Sequence, residues 1–128
     1  MPKCLVTGAS GFVGSRLCRH LVDQDWSVVA FVVPGAPLDQ LSSVIDQIRV
    51  ETVPEEAEAF LAFFAREQFD LVFHLASVFL GEHKPGQIKT MIDANLTFGC
   101  HVLEAMATAG CWRLVNTGTS WQHYQNED

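Results

Sequence analysis

A short apolar segment, Cys4-Leu5-Val6, runs directly into Thr7-Gly8-Ala9-Ser10-Gly11-Phe12-Val13-Gly14, and an amphipathic stretch follows. A strand that ends in this glycine series and turns into a helix makes a corner with three separate demands on backbone space. Gly8 takes the tight turn, Gly11 lets backbone N–H groups approach a ligand, and Gly14 lets the new helix lie close on the strand. The helix start then offers unpaired N–H groups and the positive end of its dipole, which together suit a pyrophosphate. The spacing is Gly-x-x-Gly-x-x-Gly, one residue wider at its start than the common dinucleotide fingerprint. A glycine turn alone can be purely structural, but here the preceding strand and the following helix supply the context that phosphate binding requires. A nucleoside-triphosphate loop is excluded, because no Gly-Lys-Ser/Thr follows the glycines.

From this corner to the end, period and punctuation alternate between strand and helix, which predicts an α/β fold with a parallel sheet covered by helices. Strands are expected at 3–7, 27–33, 47–53, 70–75 and 112–116. Helices are expected at 12–23, 38–45, from Pro54 to about 67, and 87–109, the last closed by Gly110. In the first helix Phe12, Val13, Leu17 and Leu21 form the expected buried stripe; in the third, Phe60, Leu61 and Phe64 do. Glu55, Glu56 and Glu58 fill a first helical turn, where carboxylates favour the dipole. Right-handed crossovers give the strand order 3-2-1-4-5, with ligands beyond the carboxyl ends at the switch between strands 1 and 4. The glycine loop and His74-Leu75-Ala76-Ser77 should therefore face one crevice.

At 128 residues, with 48% hydrophobic and 18% charged residues, the chain fits one globular domain, 1–128. A net charge of −7 argues against a nucleic-acid surface, which needs clustered Lys and Arg. No apolar run approaches a membrane span, and Met1-Pro2-Lys3 before three apolar residues is too short for a signal peptide, so a cytoplasmic location is expected. Cys4, Cys18, Cys100 and Cys111 form no C-x-x-C pair and no metal-ligand spacing with His, and read as reduced thiols. His74 reads as a packed residue of a strand end. His20, His83, His101 and His123 read most simply as surface or core histidines.

The motifs Thr7-Gly8-x-x-Gly11-Phe12-Val13-Gly14, His74-Leu75-Ala76-Ser77 and Asn95-x-x-x-Gly99, the last followed by Val102-Leu103-Glu104-Ala105, stand in this order along the chain. In this they resemble the extended short-chain dehydrogenases/reductases, a family of NAD(P)-dependent nucleotide-sugar epimerases, dehydratases and reductases. The resemblance covers the first half of the family pattern and implies a Rossmann-like sheet that stops before a sixth strand. It implies that Gly8, Gly11, Phe12, Val13 and Gly14 hold the pyrophosphate of NAD or NADP. Leu75, Ala76 and Ser77 would line the adenosine ribose side. Asn95 would neighbour the cofactor and steady the sheet, or else be a buried polar group tying strands together. The segment from Asn116 to Tyr124 also resembles, more weakly, enzymes that make CDP-linked dideoxysugars. By that resemblance Ser120, with Thr119 next, would hydrogen-bond the reacting sugar; the alternative is a loop hydroxyl bonding its own backbone.

Several positions depart from the family pattern. Its ribose-reading acid, or phosphate-reading Arg, at the end of strand 2 is replaced by Val32 and Val33, which leaves NAD and NADP equally open. The Gly-Asp after strand 3 is replaced around Thr52-Val53-Pro54, so adenine would be held by backbone and apolar contact. The family's Tyr is activated by a Lys four residues later, whose charge lowers the phenol pKa. Here the single tyrosine is Tyr124, and Asp128 stands at the Lys position. The chain therefore reads as the cofactor-binding portion of an enzyme whose substrate is a nucleotide sugar, with no turnover expected from it alone. The alternatives are a noncatalytic dinucleotide-binding or redox-sensing module, or a remnant that binds nothing. An open edge on strand 5, or the long helix before it, is expected to support homo-oligomer formation.

Overall fold

The computed structural model describes residues 1–119, and its first two elements follow directly from the apolar segment and the glycine corner. Strand β1 (Lys3–Thr7) leads through that corner into α1 (Phe12–Asp23). There follow β2 (Ser27–Val32), β3 (Arg49–Thr52), α2 (Ala57–Glu67) and β4 (Leu71–His74). A helical rod comes next, made of α3 (Ile88–Ile92), a wide π turn (Asp93–Thr97) and α4 (Phe98–Ala109), before β5 (Leu114–Asn116). The sheet is parallel throughout, in the order β3-β2-β1-β4-β5. The α/β, Rossmann-like order expected from the alternation of elements is thus the order found.

Alternation within the strands sorts the core into two layers, as a sheet buried on both faces requires. Leu5, Val29, Phe31 and Val72 point to one side, where they meet Phe60, Phe63 and Phe64 of α2 and Val102, Ala105 and Met106 of α4. Phe31 is the hub of this layer: it stacks on Phe63 at 5.0 Å and meets Phe60 edge-on at 6.0 Å. Cys4, Val6, Val28, Ala30 and Val32 point to the other side, against Cys18 and Leu21 of α1 and Leu41 and Val44 beyond β2. Gly110 ends α4 in the left-handed region at φ +77°, and the N–H of Cys111 reaches back to the carbonyl of Met106 at 2.9 Å. This is the glycine cap expected there.

Four local expectations are corrected. The stretch 38–45 forms only one 3-10 turn, Asp39–Leu41, because Ser42 and Ser43 favour turns over helix continuation. Leu41 and Val44 are buried without a helix to carry them. Helix α2 starts at Ala57 rather than Pro54, and Phe63 joins Phe60 and Phe64 inside while Leu61 is half-buried. The helix expected at 87–109 is interrupted by the π turn. Phe12 and Val13 are 64% and 60% exposed, because the first turn of α1 stands beyond the sheet and its buried face begins at Gly14 and Ser15.

At the opposite end of the sheet, Glu67 closes α2 with only 7% of its surface exposed. Lys3 Nζ lies 2.5 Å from its carboxylate, and Arg49 pairs with its other oxygen. Three elements are thus joined through one carboxylate. Burial alone would raise its pKa, but hydrogen bonds and charge from Lys3 and Arg49 outweigh that and hold the group down at about 2.

Candidate functional site

The glycine corner is filled where two of its glycines stand and open at the third. Gly8 has φ +66°, and a Cβ there would sit 2.9 Å from the backbone N of Ala76. A Cβ on Gly14 would sit 2.1 Å from the carbonyl oxygen of Gly8, inside any allowed contact. Gly11 differs: its Cβ would meet only the Gly8 oxygen, at 3.4 Å, with open space otherwise. Gly11 also precedes α1 with no side-chain cap, so among the described residues no side chain caps the N–H groups of the first turn. Two close backbone approaches and an open, uncapped helix start form a cradle that fits a pyrophosphate.

Thr7, fully buried at the end of β1, joins this corner to the end of β4. Its hydroxyl oxygen accepts the N–H groups of Leu75 at 3.0 Å and Ala76 at 3.1 Å. It lies 2.8 Å from Nδ1 of His74. Burial lowers the pKa of His74 below the ordinary imidazole value.

A cleft of about 1200 Å³ opens along the glycine corner. Gly8, Gly11, Phe12, Val13, Gly14, Leu75, Ala76 and Ser77, the residues expected to hold a cofactor, all line it. Val32 and Val33 form its wall at the end of β2, where the N–H of Val53 donates to the Val32 carbonyl at 2.8 Å. Glu55 and Glu56 line the same end. Two carboxylates therefore stand where only backbone and apolar contact was expected; they had been read solely as a helix start.

Asn95 lies elsewhere. It borders a second cavity of about 550 Å³, at the carboxyl ends of β4 and β5, with His74, Asn116 and Thr119. Ala76, Ser77 and Val78 border both spaces. The Asn95 amide clamps Val78: its Oδ1 accepts the Val78 N–H and its Nδ2 donates to the Val78 carbonyl, each at 2.8 Å. The residue is exposed and ties the helical rod to the loop after β4, not strand to strand. It does so from the π turn, a feature often found at functional sites. Thr119 is at the rim of this cavity, while Ser120, Tyr124 and Asp128 lie outside the described residues. So does most of the segment that resembles the CDP-dideoxysugar enzymes. Among the described residues no cluster of His, Cys, Asp and Glu could hold a metal ion, and no helix is long and apolar enough to cross a membrane.

The sequence profile of the NAD dependent epimerase/dehydratase family matches residues 4–125. The chain belongs to this family. Within the family it is 33% identical over 117 residues to a 2-alkyl-3-oxoalkanoate reductase of Stenotrophomonas maltophilia, covering 91% of this chain and 33% of that protein. It is 30% identical over 120 residues to a dTDP-glucose 4,6-dehydratase of Shigella flexneri, covering 89% and 33%. The chain thus spans about a third of the length of the curated relatives it matches. A UDP-glucose 4-epimerase of Bifidobacterium longum, solved in complex with NAD+ and UDP, superimposes with a TM-score of 0.80 at 16% identity. That superposition covers 94% of this chain and 38% of the epimerase. At that identity the likeness concerns the fold. This NAD dependent epimerase/dehydratase family member is therefore of the extended short-chain dehydrogenase/reductase type that its glycine corner, His74-Leu75-Ala76-Ser77 and Asn95-x-x-x-Gly99 resemble.

Proposed function

We propose that residues 1–128 are the NAD(P)-binding portion of an enzyme that acts on a nucleotide sugar. The observation that carries this is the contrast within the cradle: Gly8 and Gly14 admit no side chain, while Gly11 faces open space beside uncapped N–H groups. The first turn of α1 would take the pyrophosphate, and Leu75, Ala76 and Ser77 would pass along the ribose. Asn95 would act through Val78, holding the loop that separates the two cavities. Thr119 would stand at the sugar's side of the smaller cavity, and Ser120, next in sequence, would hydrogen-bond the reacting sugar. When bound, the nicotinamide would accept or return a hydride at a sugar carbon. Tyr124 is followed four residues on by Asp128, where the family's Lys would stand, so the Tyr-x-x-x-Lys pair is missing from these residues. No turnover of nucleotide sugars is therefore expected from this polypeptide by itself.

Calorimetric titration with NAD and with NADP tests the binding claim. Submillimolar binding of at least one is expected. Binding weaker than about 1 mM for both, a free energy short of about −4 kcal/mol, would reject the site. A noncatalytic dinucleotide-binding or redox-sensing module is the second reading, favoured by the valine pair at the ribose-reading position. A Tyr-x-x-x-Lys in the reading frame beyond Asp128 would decide for the enzyme.

Self-association is part of the proposal. Ile88, Ile92, Leu96 and Leu103 are 46–58% exposed along the helical rod, and every residue of β5 is exposed. An apolar helix face and a strand edge that is open among the described residues both favour pairing with a second copy. Sedimentation velocity should show a dimer fraction that rises with concentration; a single monomeric species at high concentration would contradict it.

A further inference from the structure

We infer that Thr7 and His74 are a positioning pair for the dinucleotide cleft, in which a neutral His74 fixes the direction of the Thr7 hydroxyl proton. This rests on reading the cleft as the cofactor site, and the hydrogen-bonding capacity of Thr7 dictates the proton's direction. A threonine hydroxyl has one proton and two lone pairs. The N–H groups of Leu75 and Ala76 occupy both lone pairs of Thr7. The proton is left for the third neighbour, Nδ1 of His74 at 2.8 Å. Nδ1 must then be an acceptor, and the ring is the neutral tautomer with its proton on Nε2. That nitrogen points toward α4, where a Cβ on Gly99 would lie 3.5 Å away.

The arrangement reaches the cleft because the Leu75-Ala76 backbone packs against Gly8. Ala76 N is the atom that a Gly8 Cβ would strike first, at 2.9 Å. Thr7 therefore sets the spacing between the glycine turn and the opposite wall, and His74 keeps both acceptor positions of Thr7 available for that wall. A proton on Nδ1 would turn His74 into a third donor to one oxygen, and one of the two amides would lose its partner. Among the described residues, the groups that face the ring are Thr7 from β1, Phe98 edge-on at 5.4 Å and Gly99 from α4, with Asn116 as register partner on β5. None of them titrates, and burial is the sole cause of the lowered pKa of His74.

The test has two arms. Nitrogen-15 spectra of the histidine rings should show His74 as the Nε2–H tautomer at neutral pH, and an Nδ1–H ring would overturn the inference whether or not a dinucleotide binds. The second arm compares His74→Asn, whose Oδ1 can accept where Nδ1 does, with His74→Leu, which leaves the hydroxyl proton without an acceptor. In the folded proteins His74→Leu should weaken NAD or NADP binding about tenfold, the consequence of an unsatisfied buried donor, and His74→Asn should stay within about threefold. The parent affinity should hold through the ordinary imidazole range and fall only as the pH is taken below it and His74 takes up a proton, while that of His74→Asn should not. Equal affinity of the parent and His74→Leu, or the same pH profile in the parent and His74→Asn, would overturn the pair. If the parent binds neither dinucleotide, the cleft reading fails. The pair is then judged by hydrogen exchange at Leu75 and Ala76, expected to be slow in the parent and in His74→Asn and fast in His74→Leu; equal rates would overturn it.

Discussion

Gly14→Ala should abolish dinucleotide binding and lower stability by about 3 kcal/mol, the upper part of the usual range for forcing an atom into filled space. The new Cβ would lie 2.1 Å from the Gly8 carbonyl oxygen and 2.8 Å from the Ala9 Cα, both backbone atoms that cannot rotate away. Either α1 lifts off β1 or the glycine turn unwinds, and in both cases the first-turn N–H groups leave the cradle. The loss is the more telling because alanine is otherwise the better helix former by about 1 kcal/mol. Gly11→Ala is the matched control. Its Cβ would find only a 3.4 Å neighbour, so stability should stay within about 0.5 kcal/mol of the parent, as at ordinary surface positions. The added methyl would stand in the space a pyrophosphate needs, so affinity should still drop. Urea unfolding and calorimetric titration of the two variants separate the effects. Parental stability in Gly14→Ala would contradict the packing described for the corner.

Glu67→Gln carries the second large effect, far from the cleft. The depression of the carboxyl from 4.5 to about 2 corresponds to roughly 3 kcal/mol before screening. Arg49 is 46% exposed in this pair and Lys3 28%, so solvent screens part of it, and about 2 kcal/mol is expected near neutral pH. The folded pKa lies below the unfolded one. The contribution is therefore complete above pH 4.5 and is lost as the pH falls toward about 2. The parent should lose stability across that window, and Glu67→Gln should start lower and show a shallower slope there. Chemical denaturation at a series of pH values checks both, and parallel curves for the two proteins would contradict the role given to Glu67.

What could be read from the residues follows from the range of the interactions involved. Strand β1 and helix α1 have the expected bounds because apolar run, glycine turn and amphipathic stretch are all local signals. The strand order followed from the handedness of crossovers, a rule that needs only the sequence of elements. Phe12 and Val13 were misplaced because hydrophobic period says which way a side chain points, and not whether the sheet extends far enough to cover it. Leu41 and Val44 kept helical spacing and are buried, yet serines between them let turns do the same work. The cleft residues were legible as glycines and as a short motif at a strand end. Thr7 was passed over as part of the glycine motif, since its bonds run to Leu75 and Ala76, distant in sequence. Glu67 was hidden for the same reason. It looks like any helix-terminal acid until β1 and β3 bring Lys3 and Arg49 to it.

The wide turn at Asp93–Thr97 gives the rod from α3 to α4 two independent phases. One residue beyond a regular turn rotates the helix before it by about 100° relative to the helix after it. Val102, Ala105 and Met106 are set by the sheet they press on, whereas Asn95 is set by the loop that it clamps. A rod of uniform pitch could satisfy one of these surfaces and would miss the other. The turn therefore works as a coupling between two misaligned shafts, and deleting a single residue within it would restore a regular helix while swinging Asn95 away from Val78.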